Sequence, residues 1–175
     1  MIFALEKWAD FLAENDEELW LSFNNLGGEE SFEEAGLSVF EFEKRLLNFA
    51  FFLRRLIEEA DSCVASGAVG GNFNDLRTAP EEIVDFGKSQ LSLPGSIGPK
   101  FQLNQSYNLT VQELCHQIIH HRLLNLNWPT PNGNPGFFVS SDRTSATKIF
   151  FIGLDKLSDC VVRLTTIIAK NEGAP

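Results

Sequence analysis

The sequence predicts a mainly α fold of the α+β class: a helical, bundle-like domain around a central helix at 38–61. One C-terminal β-hairpin at about 137–152 and a last helix complete it. Three observations carry this reading. Apolar residues recur at helical spacing over most of the chain. Two capping-box patterns, Ser38-Val39-Phe40-Glu41 and Thr110-Val111-Gln112-Glu113, mark helix starts. Two short apolar runs, Phe137-Phe138-Val139-Ser140 and Ile149-Phe150-Phe151-Ile152, flank a polar turn as in a hairpin.

Taken in chain order, Ala4, Leu5, Trp8, Phe11 and Leu12 form the first stripe. Asn15 or Asp16 is expected to break it and to cap a second short helix carrying Leu19, Trp20 and Phe23, which ends at Gly27-Gly28. An acidic connector, Glu29 to Gly36, leads to the central helix. There Val39, Phe42, Leu46, Phe49, Leu53, Leu56, Ile57 and Ala60 line one face, while Phe40, Leu47 and Phe51 make a second apolar stripe. Two stripes imply neighbours on both sides. Glu41–Arg45 and Arg55–Glu59 stand at the i,i+4 spacing of supporting ion pairs.

Residues 62–108 read as a long irregular insertion within a single domain spanning 1–175, with one short helix from Thr78-Ala79-Pro80-Glu81 to Phe86. The second capping box opens a helix over 110–125, which Pro129, Pro131 and Pro135 forbid from continuing. The last helix starts at Asp155 or Ser158 and buries Leu157, Cys160, Val161, Leu164, Ile167 and Ile168.

Charge gives the first functional signal. The net charge of −10 is lopsided: residues 1–61 hold fifteen Asp and Glu against five Lys and Arg, and the remainder holds nine of each. Such a chain is repelled by nucleic acid and anionic membrane and attracted to basic proteins. No apolar run approaches the ~20 residues a bilayer requires. The amino end has no basic segment followed by a continuous apolar stretch, so a cytoplasmic location is expected. Cys63, Cys115 and Cys160 form no CxxC pair. The favoured function is therefore a cytoplasmic interaction or regulatory protein, of the inhibitor or immunity type, that presents an acidic surface to a basic protein partner. Its contact set is Glu14, Asp16, Glu17, Glu18, Glu29, Glu30, Glu33 and Glu34, with Trp20 as aromatic anchor.

The alternative is a hydrolase or ribonuclease, either metal-assisted or metal-free. All three histidines fall in the predicted helix 110–125, and His116 and His120 share a face with Glu113. Two imidazoles one turn apart plus a carboxylate are the side chains a divalent metal requires. A metal-free route would use His120 or His121 as general base or acid, with Arg122 or Arg143 stabilising a phosphate. Glutamine, not glutamate, follows His116, and the chain has no second Glu-x-x-His, no Gly-Lys-Ser/Thr loop and no Gly-x-Ser-x-Gly elbow. No cofactor is expected. Arg122 falls in the apolar stripe of its predicted helix, where burial would require Asp142 or Asp155 as a partner. A third option is a small-molecule sensor with its pocket under the long insertion.

Overall fold

The computed structural model describes residues 2–26, 32–65, 85–89, 103–126, 134–142 and 149–172. Leu5, Leu12 and Leu19 recur at seven-residue spacing and all are fully buried. They draw Ile2–Asn24 into one continuous helix, α1. The break expected at Asn15 or Asp16 does not occur. Asn15 turns its amide back onto the Phe11 carbonyl at 3.1 Å, and Asp16 reaches a neighbouring helix. The Asn15 amide N–H and the Asp16 carboxylate thus find partners without leaving the helix, and although Asn15 Oδ1 is buried with no partner among the described residues, burial of the leucine stripe decides.

The second helix, α2, runs Phe32–Ala65 and starts before the predicted cap. Glu33, Glu34 and Ala35 are good helix formers, so Ser38 lies well inside a continuing helix and the end of the expected connector is helical. Gly36 is the weak point of that first stretch. A Cβ built on it meets nothing within 4 Å. Gly36→Ala is expected to stabilise the protein by about 1 kcal/mol, read as a higher urea midpoint at unchanged slope. An unchanged midpoint would mean that the first turns of α2 contribute nothing to the cooperative unit.

Of the predicted face of α2, Phe42, Leu46, Phe49, Leu53, Leu56 and Ala60 are buried and Ile57 partly so, whereas Val39 is exposed. The second stripe is not covered in the same way: Leu47 is half-buried, but Phe40 and Phe51 stay 59% and 50% exposed. The ion pairs also differ from those expected. Arg45 reaches across to Glu18 of α1, Lys44 takes Glu41, and Arg54 and Arg55 both meet Glu58.

Where one short helix was expected in 62–108, the structure has two strands, β1 (Asp85–Ser89) and β2 (Leu103–Asn108). Asp85 and Phe86 thus belong to a strand; residues 78–84 of the expected helix lie outside the described residues. Thr110 caps α3 (Val111–Ile119) through a complete capping box, as predicted. The helix ends early, because His121 Nδ1 takes the Ile118 carbonyl at 2.7 Å and the chain continues as β3 (His121–Asn125). The expected helix 110–125 is therefore a helix followed by an edge strand. β4 (Gly136–Ser141) and β5 (Ile149–Gly153) form the predicted hairpin, and α4 (Leu154–Glu172) follows directly.

The five strands make one sheet in the order β2-β1-β5-β4-β3, antiparallel throughout. Period-two alternation sends Phe137, Val139, Phe150 and Ile152 into the main core with the four helices. Phe138, Ile149 and Phe151 form a second buried cluster with Leu123, and Phe138 and Phe151 stand opposite each other with rings 5.2 Å apart. Burial of both faces explains why these two strands read as continuous apolar runs. No helix among the described residues is long and apolar enough to cross a membrane.

Candidate functional site

The predicted contact residues divide by what the fold does with them. On α1, Glu14 and Glu17 are exposed, as is Asp10 outside the predicted set, and none of the three pairs with a cation among the described residues. Glu18 is exposed but held by Arg45. Asp16 and Trp20 face inward. The Trp20 indole N–H donates to Ser158 Oγ at 2.7 Å, and the Ser158 hydroxyl donates to Asp16 Oδ1 at 3.0 Å. These residues, four apart on α1, clip it to α4. Trp20 is thus a structural contact and not a surface anchor. Glu33 and Glu34 belong to the first turn of α2, where only the backbone is described, and Glu29 and Glu30 lie outside the described residues.

Burial raises the Asp16 carboxyl above its ordinary value, against the opposing hydrogen bond from Ser158. A native pKa above the unfolded one means that the folded state holds this proton more tightly. The resulting stability is complete below the unfolded value and is lost as pH rises through the native one. Asp16→Asn keeps an acceptor for Ser158 and removes the buried charge. It is expected to match or exceed the parent in urea stability at pH 7 and to lose that advantage near pH 4; lower stability at pH 7 would contradict it. Ser158→Ala, by contrast, strands both partners and is expected to cost about 1–3 kcal/mol.

An aromatic anchor is present elsewhere. Trp8, Phe11, Phe51 and Phe52 form a cluster on the α1–α2 hairpin with ring centroids 5.7–6.2 Å apart, and the Arg55 guanidinium lies 5.6 Å from the Trp8 ring. Phe11 remains 42% exposed beside Asp10 and Glu14. The sequence signal was there: Phe40, Leu47 and Phe51 gave α2 more apolar surface than one neighbour could cover.

The residues of the enzyme alternative are dispersed. Glu113 is spent on the cap of α3, its carboxylate accepting from the Thr110 N–H at 2.9 Å. His116 and His120 do come together, with ring centroids 4.8 Å apart. His121 turns away onto β3, its Nε2 3.0 Å from Glu43 Oε1. One ring nitrogen thus faces a backbone carbonyl and the other a carboxylate. Arg122 is exposed at the register shift between His121 and Leu123, not buried in a helix stripe. It pairs with neither Asp142 nor Asp155 among the described residues, and Arg143 lies outside them. Gln117 is buried and accepts from the Ser141 N–H at 2.9 Å, tying α3 to β4. No group of three His, Cys, Asp or Glu side chains among the described residues is placed to hold a metal ion.

His116 and His120 instead line a cavity of about 210 Å³ between α2 and α3. Across it stand Arg54, Glu58 and Asp61, three residues one turn apart along α2 that the sequence analysis did not single out. Their spacing was legible, but that α2 faces α3 was not. Hydrogen bonding from Arg54 holds the Glu58 carboxyl below its usual value. Burial pushes the Cys115 thiol in the same wall up to about 12, so it is uncharged at neutral pH and supplies no nucleophile. Comparison with protein-family models, curated proteins and solved structures finds no match for this chain.

Proposed function

We propose that this chain is a cytoplasmic interaction protein whose α1–α2 hairpin docks a basic, amphipathic segment of another protein. One observation carries the reading: Phe11 and Phe51 belong to an aromatic cluster yet stay about half exposed, on a hairpin whose Asp10, Glu14 and Glu17 pair with no cation among the described residues. Exposed aromatic rings offer large contact area at low entropic cost, and the surrounding negative charge selects and steers a cationic partner. Arg55 lying over Trp8 is an example, within the chain itself, of the contact an incoming guanidinium would make.

The test is fluorescence anisotropy with a labelled amphipathic Arg/Leu peptide and an acidic counterpart of equal length, at about 50 mM and about 500 mM salt. Only the basic peptide is expected to bind, more weakly in high salt. Reversal of Asp10, Glu14 and Glu17 to lysine, and separately Phe11→Ala with Phe51→Ala, should each weaken it about tenfold, a change of ~1.4 kcal/mol. Equal binding of both peptides, or indifference to salt and to both variants, would overturn the reading.

A further inference from the structure

We infer, on the basis of the docking reading above, that the basic partner of the α1–α2 hairpin is a helix of about two heptads that packs along the outer face of α2 in coiled-coil register. Leu37, Phe40, Lys44, Leu47 and Phe51 follow one another at steps of three, four, three and four residues. That is the a/d spacing of a helical seam, whose period of about 3.5 residues keeps it turned toward a second helix. At about 100° per residue the stripe centres about 180° from the buried face of Phe42, Leu46, Phe49, Leu53, Leu56 and Ala60. It therefore points directly away from the core. Leu37, Phe40 and Phe51 are 62%, 59% and 50% exposed, and Leu47 is half-buried. The stripe runs for about 21 Å along α2. A second helix matches its steps; an extended segment, with one side chain per face about every 6.6 Å, falls out of phase with them.

Charge decides the occupant. The Glu18–Arg45 and Trp8–Phe51 contacts lay α1 along one flank of the stripe. On α1, Asp10, Glu14 and Glu17 lie on the side opposite the buried Leu5, Leu12 and Leu19. An acidic ridge and an apolar ridge thus face outward side by side. Helices in contact lie about 8–10 Å apart, so an Arg or Lys on the α1 edge of a seated helix reaches those carboxylates. A second copy of this chain fits less well, because it brings the same net charge of −10 against itself. Lys44, which pairs with Glu41 at 3.5 Å, is the polar member of the stripe. A polar residue within a seam sets the register of the partner at a cost in affinity.

The experiment is fluorescence anisotropy with far-UV circular dichroism on the full chain, using three Arg/Leu peptides of about fifteen residues and equal charge, short enough to be poorly helical alone. The first has leucine at heptad a and d positions, the second has the same leucines at alternate positions, and the third is the first with a central proline. The heptad peptide is expected to bind about tenfold more tightly than the other two, and to gain helical signal on binding. Leu37→Ala with Phe40→Ala, both side chains more than half exposed, should weaken it about tenfold and leave the chain's own spectrum unchanged. Lys44→Leu should tighten it. The helical partner is overturned, with a basic docking face still standing, if the three peptides bind alike or the heptad peptide gains no helix. It is overturned equally if the Leu37/Phe40 variant binds like the parent, or if Lys44→Leu fails to tighten binding. If no peptide binds, the docking reading falls with it. A free chain that sediments as a dimer and becomes monomeric on Phe40→Ala would assign the stripe to a second copy and overturn the proposal.

Discussion

Replacing Phe42 by alanine is expected to destabilise the protein by about 3–5 kcal/mol, the largest single effect anticipated in the core. Phe42 is fully buried and its ring lies 5.7 Å from that of Phe23 and 5.8 Å from that of Phe137. It is therefore where α1, α2 and the sheet meet, and three elements would have to shift to fill the void. A void lined from three directions collapses poorly, so the cost belongs in the upper part of that range. The measurement is urea unfolding followed by far-UV circular dichroism; a loss below about 1 kcal/mol would show that this junction is not part of the cooperative core.

The second large effect is at Gly136. A methyl group there would press against the Ile152 carbonyl oxygen and sit 2.6 Å and 2.9 Å from two atoms of the Phe151 ring. Both obstacles belong to the partner strand, and Phe151 is itself buried against Phe138. Gly136→Ala is expected to cost about 1–3 kcal/mol or more, since neither backbone nor buried ring can step aside. Gly153, its partner across the ladder, is the internal control. There the added methyl meets Asp155 Oδ1, the far end of an exposed, flexible side chain. Gly153→Ala should be tolerated within about 0.5 kcal/mol. Equal effects at the two glycines would contradict this assignment of close approach.

The sequence was most informative where a segment's own pattern decided its structure. Leu53 and Leu56 announced the buried face of α2, Thr110 and Glu113 announced the start of α3, and the two Phe-rich runs announced the hairpin. It misled where polar residues have indifferent propensities. His120, His121 and Arg122 suit a helix or a strand, and ladder pairing of Leu123 and Leu124 with Ser140 and Val139 drew them into β3. β1 and β2 carry sequences such as Asp-Phe-Gly-Lys-Ser, with too few apolar positions to show a period of two. Their place in the sheet comes from partners distant in sequence.

The candidate sites divide along the same line. The excess of carboxylates in α1 is a property of composition and was readable at once. That Asp16 and Trp20 are used up on Ser158, that Phe11 joins Phe51, and that Arg54 and Asp61 confront His116 and His120 are facts of helix packing. Local spacing fixes which side chains share a face, because 3.6 residues complete a turn whatever surrounds them. Which face meets which depends on how several apolar stripes are buried together, and a single segment does not contain that information.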